Sequence, residues 1–145
     1  MNIKLDCYVS RPEGKRGYFI ERESQILEEH LVKVNRNESM KKLIIENITD
    51  GIRHVKNMVA HEDVLSIIIQ NRNVAEWIVN RNESRYRDFV PQMDELFDVL
   101  EELDCRYTIV FNSNSMARKF VKNSFEFDKI AAESIEDVFS EFDAE

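Results

Sequence analysis

A continuous apolar strand that ends abruptly in polar side chains is the feature that most constrains this fold. Residues 67–77 read IIIQNRNVAEW, so three isoleucines precede a polar segment and a helical pattern follows. An unbroken apolar run is typical of a strand covered by other elements, and α/β proteins commonly place functional groups where such a strand ends. The sequence therefore predicts an α/β protein with a candidate site near Asn71.

Three strands are predicted ahead of this segment. Residues 2–9 alternate well enough for a strand, and residues 10–17 contain one proline and two glycines, which indicates a turn. Residues 18–22 and 26–34 then form the second and third strands, although the leucine and glutamate content of the third leaves a helix open. Two consecutive hairpins predict an antiparallel meander.

Strands and helices alternate in the remainder of the chain. From Met40 to Met58 apolar residues recur at steps of three and four, which predicts a long helix with Asn37 as its N-cap. A strand is then predicted at 63–70, a short helix at 74–79, an irregular segment at 80–92, a helix at 93–103, a strand at 106–111 and a helix at 113–121. This order predicts a mixed five-stranded sheet, antiparallel at first and parallel later, with helices on its faces.

Length and composition indicate one globular domain. A chain of 145 residues can bury a full core, and its 43% hydrophobic and 33% charged residues are typical of a folded protein. No apolar run approaches the roughly 20 residues that cross a bilayer, and the N-terminus lacks a signal-peptide pattern. Cys7 and Cys105 form no CxxC pair, so we expect a reducing, cytoplasmic location and no membrane association.

Acidic residues are concentrated at the C-terminal end. Residues 123–145 carry eight acids and one base, whereas residues 1–122 carry 20 acids and 19 bases. We expect residues 1–122 to form the main part of the domain and residues 123–145 to form an acidic C-terminal extension of it, with an amphipathic helix at 134–142. Docking of this helix on the body is the simplest expectation, and binding to a protein partner or to the protein's own basic residues remain alternatives.

Three stretches resemble the ribonuclease H family, in the family's own order. Residues 4–20 (KLDCYVSRPEGKRGYFI) are similar to its first hairpin, and residues 67–77 are similar to its fourth strand and the helix that follows. Residues 109–121 (IVFNSNSMARKFV) are similar to the end of the fifth strand and the family's Asn-x-x-Ala-Asp-x-Leu-Ala helix. The resemblance spans residues 3–122 and implies the ribonuclease H-like fold, in agreement with the predicted order of elements.

The resemblance implies four carboxylates that hold two Mg²⁺ ions at a phosphodiester. Asp6 matches the carboxylate of the first strand, but Lys41 (or Lys42), Asn71 and Arg118 occupy the other three positions. Mg²⁺ prefers anionic oxygen ligands, and a lysine and an arginine would repel it. We therefore expect no metal site and no cofactor, with one alternative: a rearranged site that keeps the Mg²⁺-dependent cleavage of RNA in RNA–DNA hybrids.

Basic residues surround the predicted cleft in place of the missing carboxylates. Nine are expected to face it: Arg11, Lys15, Arg16, Lys41, Lys42, Arg72, Arg118, Lys119 and Lys122. Lysine and arginine bind phosphate without a metal, so the leading interpretation is a non-catalytic module that binds nucleic acid, such as an RNA–DNA hybrid, or a protein. These bases could instead be ordinary solvated residues, with Arg118 neutralising Asp6 in a structural ion pair.

Two other segments admit a functional interpretation. Residues 85–89 (RYRDF) lie where a family handle that grips hybrid duplex would fall, although ordinary loop packing also explains them. The last two predicted β–α pairs are similar to a regulatory domain of the sulfate-transporter and anti-sigma antagonist family. A strand at 125–131 would favour this alternative.

Overall fold

The predicted antiparallel meander forms the first half of the sheet in the computed structural model, which describes residues 1–122. It consists of β1 (Asn2–Ser10), β2 (Lys15–Arg22) and β3 (Gln25–Lys33). Both pairings are antiparallel, and a bulge interrupts the register of β2 with β3 between Ile20 and Glu21. The third segment is therefore a strand, which settles the helix-or-strand ambiguity of its composition.

Parallel strands and helices complete the described fold. The elements that follow the meander are α1 (Met40–Val55), β4 (Val64–Ile69), α2 (Arg72–Asn80), two short 3-10 turns (Glu83–Arg85 and Arg87–Phe89), α3 (Val90–Glu101) and β5 (Arg106–Phe111). Residues 116–122 are helical. The strand order is β3-β2-β1-β4-β5, with β4 parallel to both β1 and β5. The predicted mixed five-stranded sheet is confirmed.

The core lies between the sheet and the helices α1 and α3. The unbroken apolar run of β4 reflects cover on both faces, since Ile67, Ile68 and Ile69 are all at least 93% buried although their side chains alternate in direction. Helix α1 approaches the central strand closely, because a side chain added at Gly51 would meet the Leu5 side chain at 3.0 Å.

Helix boundaries differ from the sequence expectations by two to three residues, for local reasons. Asn37 is not the N-cap of α1: its N–H bonds to the Asn35 side chain (2.9 Å) in a turn, and Ser39 precedes the helix without a side-chain cap. At the other end the helix stops at Val55 rather than Met58, whose N–H still bonds to the Val55 carbonyl (2.8 Å). Side-chain bonds within loops therefore compete with the helical pattern.

Several expectations concern residues 123–145, which lie outside the described residues. These are the acidic extension with its helix at 134–142, the partners expected for it, and the strand at 125–131 that would favour the regulatory-domain alternative. Within residues 1–122, no helix is long and apolar enough to cross a membrane.

Candidate functional site

The carboxyl ends of β1, β4 and β5 meet the beginnings of three helices at one edge of the sheet. Helix α2 follows β4, the helix at 116–122 follows β5, and α1 begins beside the end of β1, where the Arg11 guanidinium donates to the Glu38 carbonyl at 3.3 Å. β1 and β4 are neighbours, but β2 follows on the far side of β1 and β5 on the far side of β4, so the chain builds the sheet outward in both directions from this point. Open α/β sheets bind ligands at such a change of direction. We call this region the carboxyl edge.

Asp6 lies at the carboxyl edge with its carboxylate turned into the protein. It is 1% exposed, and its two oxygens accept bonds from the Ser115 hydroxyl (2.6 Å) and the Ala117 N–H (3.2 Å). The carboxylate thus caps the helix at 116–122, although it comes from the other end of the chain. Burial is the largest influence on its pKa and raises it, while the two hydrogen bonds act in the opposite direction.

Gln70 is a site residue that the sequence reasoning missed. Its Oε1 accepts from the Val9 N–H, and its Nε2 donates to the Val9 carbonyl (3.0 Å). The side chain therefore links the two strands beyond Asp6 and Ile68, the last residues of β1 and β4 that pair directly. The available signal was an amide that directly follows a buried strand.

Asn71 has a structural role at the start of α2. Its Oδ1 accepts from the Val74 N–H at 3.0 Å, so it is the N-cap of the helix, which begins at Arg72 rather than at Val74. The side-chain oxygen of Asn71 is therefore already engaged within the fold.

The cations at the other two family positions do not contact Asp6. The Lys41 ammonium lies over the Trp77 ring, 5.2 Å from its centroid, and the Arg118 guanidinium donates to the Asn114 side chain at 3.0 Å. The proposed structural ion pair between Arg118 and Asp6 is therefore not formed. Within residues 1–122, no group of three or more His, Cys, Asp or Glu side chains is arranged to hold a metal ion.

The nine predicted basic residues divide into three groups: three paired with carboxylates, one that is buried, and five that make no ion pair among the described residues. Three are paired with carboxylates: Arg16 with Asp50 (2.6 Å), Lys42 with Glu38 (3.3 Å) and Lys122 with Glu13 (4.0 Å). Lys15 is only 5% exposed, and burial together with the nearby Lys33 lowers its pKa. It is therefore not presented at the surface of the cleft as the sequence suggested.

Five of the nine make no ion pair with a carboxylate among the described residues: Arg11, Lys41, Arg72, Arg118 and Lys119. Arg72 is exposed and lies over the Phe111 ring, 5.1 Å from its centroid, at the end of β5. These five cations come from separate segments that all meet at the carboxyl edge.

All of these cations except Arg11 lie near the starts of helices, where a positive charge is electrostatically unfavourable. A helix begins with a partial positive charge, so acids are favoured in the first turn, and a cation there is unfavourable by about 0.3–1 kcal/mol. Yet α1 and α2 have no acid in their first turns, where Lys41 and Arg72 lie. Arg118 and Lys119 likewise follow the start of the helix at 116–122. The start of α1, which has no side-chain cap, and the cations together make the carboxyl edge suited to an anion.

Comparison with known proteins identifies the fold. No protein-family model matches the sequence, and no curated protein matches it. RNase H1 from the halophilic archaeon Halobacterium salinarum NRC-1 superposes with a TM-score of 0.65 at 11% identity, over 88% of this chain and 97% of that one. The N-terminal RNase H domain of a Mycobacterium tuberculosis protein, solved as a fusion with maltose-binding protein, gives 0.60 at 15% identity, over 90% and 98%. The chain therefore has a ribonuclease H-like fold.

Proposed function

We propose that this protein binds nucleic acid at the carboxyl edge and does not cleave it. The observation that carries the proposal is the convergence of Arg11, Lys41, Arg72, Arg118 and Lys119 on the beginnings of three helices, without carboxylate partners among residues 1–122. A phosphate backbone supplies the repeated negative charges that such an arrangement can bind. The names of both structural neighbours denote enzymes of the RNase H type, so an RNA–DNA hybrid is the first ligand to test.

The residues at this edge do not fit a pair of Mg²⁺ ions. Two ions need several anionic oxygens, but the carboxylate of Asp6 already accepts two hydrogen bonds and is buried. The oxygen of Asn71 caps α2, and the cations Lys41 and Arg118 stand at two of the family's carboxylate positions. The donor set thus supports binding without the metal-assisted hydrolysis described for this type of site.

The test combines a binding assay and a cleavage assay on one preparation of the full chain. Anisotropy of a labelled hybrid is measured at several salt concentrations, and cleavage is followed with Mg²⁺ or Mn²⁺. We expect salt-sensitive binding and no cleavage. Absence of binding at low salt would refute the proposal, and metal-dependent cleavage that Asp6→Asn abolishes would establish the enzyme alternative instead.

A matched pair of arginine variants locates the binding surface. Arg72 lies at the carboxyl edge, whereas Arg106 lies at the opposite end of the sheet, and both are exposed. Arg72→Gln should weaken binding, while Arg106→Gln should leave it unchanged. Equal effects would show that the interaction follows net charge alone and is not centred on this edge.

A further inference from the structure

An open cavity of about 590 Å³ lies beside the carboxyl edge. Its wall is formed by α2, by the 3-10 segment that follows, and by Lys41 at the start of α1. This volume falls in the range of small-molecule sites and accommodates one nucleotide. Trp77 is its single aromatic lining residue, and the remaining lining residues are all polar or charged.

The polar lining supplies the groups that a nucleotide needs. Lys41 and Arg85 are cations suited to a phosphate, and Glu76 is a carboxylate that can accept from ribose hydroxyls. Three asparagine side chains, Asn73, Asn80 and Asn82, add amide donors and acceptors.

Most of these groups remain available to a ligand. The Oδ1 of Asn82 accepts from the Ser84 hydroxyl (2.7 Å), which leaves the amide NH₂ of Asn82 as a donor. Within residues 1–122, Asn73 and Asn80 make no side-chain hydrogen bond, and Glu76 and Arg85 make no ion pair. The lining side chains therefore do not use up their hydrogen-bonding capacity on one another.

Trp77 contributes shape rather than a free stacking face. Phe89 stacks on it with ring centroids 5.8 Å apart, and Lys41 lies over the ring at 5.2 Å. A bound base would therefore be recognised by amide hydrogen bonds rather than by stacking on the indole. The Lys41 ammonium is held at the boundary between the cavity and the carboxyl edge, so a strand bound at the edge passes the mouth of the cavity.

We propose that this cavity binds a single nucleotide through its phosphate, ribose and base. The nucleotide comes either from solution or from an unpaired strand end, and the second source rests on the proposed binding of nucleic acid at the carboxyl edge. Lys41 belongs to both sites, whereas Arg85 and the asparagines belong to the cavity alone.

Trp77 is the only tryptophan of the chain and lines the cavity, so its fluorescence reports directly on occupancy. A nucleoside 5′-monophosphate is titrated into the full chain, with inorganic phosphate and the unphosphorylated nucleoside titrated in parallel. We expect a saturable change with the monophosphate and a weaker response to either fragment. No saturable change at millimolar monophosphate, together with no preference for unpaired ends, would overturn the proposal.

Arg85→Gln and Arg87→Gln provide a matched pair in the same exposed segment, because only Arg85 lines the cavity. Arg85→Gln should weaken nucleotide binding about tenfold, through loss of a charged hydrogen bond, and Arg87→Gln should not. Asn80→Leu should weaken it as well, since Asn80 is exposed and its replacement leaves the core intact. Equal effects of the two arginine variants would assign the signal to general charge and overturn the proposal.

The source of the nucleotide is decided by comparing a blunt hybrid with one that carries a single unpaired nucleotide. Tighter binding of the second, lost in Arg85→Gln, assigns the cavity to a strand end. A monophosphate response without this preference assigns it to a free nucleotide. If the blunt hybrid binds but neither nucleotide source does, the cavity proposal fails while the proposed function stands. If the monophosphate binds but no hybrid does, the proposed function fails alone.

Discussion

Replacing Asp6 by alanine and by asparagine separates a structural carboxylate from a catalytic one. Asp6 and Ser115 lie 109 positions apart in the chain, and their hydrogen bond connects the central strand to the segment before the helix at 116–122. If the carboxylate serves as a cap, an isosteric acceptor should preserve most of its contribution. If it served only catalysis, both substitutions would leave stability unchanged or raise it.

The expected magnitudes follow from the two hydrogen bonds. Asp6→Ala leaves the buried Ala117 N–H without its acceptor and removes the helix cap, which together cost about 2–3 kcal/mol of unfolding free energy. In Asp6→Asn the amide oxygen accepts from Ala117, and the Ser115 hydroxyl rotates to accept from the amide NH₂. The asparagine variant should therefore lose less than about 1 kcal/mol.

Urea unfolding followed by circular dichroism measures both variants. With a slope of about 1.5 kcal/mol/M, the midpoint of Asp6→Ala should fall by about 1.5 M and that of Asp6→Asn by less than about 0.7 M. Glu21→Gln is the control, because Glu21 forms a partly exposed ion pair with Lys4 (3.5 Å) on the same face and should matter little. An alanine variant as stable as the native protein would refute the capping argument. An asparagine variant as unstable as the alanine variant would show that the charge itself is required.

The difference in unfolding free energy between the native protein and Asp6→Asn should change with pH in one direction. Burial raises the pKa of Asp6 above its usual value, so the folded state binds more protons than the unfolded state between the two values. The contribution of the carboxyl group is fully present below the unfolded pKa of about 3.9 and declines as pH rises through the folded pKa. The stability advantage of the native protein over Asp6→Asn should therefore shrink as pH rises across this window.

Three further predictions concern other parts of the site and core. Gln70→Ala should lower the unfolding free energy by about 1–2 kcal/mol in urea titrations, because it removes both bonds to Val9, and a neutral result would show that this bridge is dispensable. Cys7 should resist iodoacetamide at pH 8 until the protein unfolds, as mass spectrometry of labelled peptides would show, because burial raises the pKa of its thiol well above the ordinary value. A plot of the logarithm of hybrid affinity against the logarithm of salt concentration should have a slope of about −4, because each of the five cations contributes at most about −0.9. A slope near zero would exclude phosphate contacts as the basis of binding.

The sheet and its helices were predictable because the hydrophobic period carries that information locally. The apolar stripe of α1 records which side of the helix faces the core, and the unbroken isoleucines of β4 record a strand that is covered on both faces, so a single sequence carries both directly. Helix starts were less predictable: Asn35 and Asn71 both hold local turns or caps, and only one of them begins a helix. The choice between such alternatives depends on how the flanking chain packs.

The partners of the charged residues could not be predicted for a different reason. Lys42 and Lys41 are adjacent in sequence, yet one pairs with Glu38 and the other lies over Trp77. Such choices depend on which face of α1 turns toward α2, and ionic contacts are individually weak enough for packing to decide them. The resemblance to ribonuclease H located Asp6 correctly on the central strand but gave no indication that Ser115 and Ala117 would occupy its oxygens.

The position of the Asp6 carboxylate among cations at the carboxyl edge has an electrostatic explanation. Asp6 is buried at the start of the helix at 116–122, where its negative charge offsets the partial positive charge of the helix end. The starts of α1 and α2 have no such acid in their first turns and carry Lys41 and Arg72 instead. Bound phosphates would neutralise both the positive helix ends and these cations. Binding would therefore remove an electrostatic repulsion that destabilises the free protein. A ligand that binds only the folded state stabilises it, by about 2.7 kcal/mol at a hundredfold excess over its dissociation constant, so the proposed nucleic-acid binding would raise the stability of the protein.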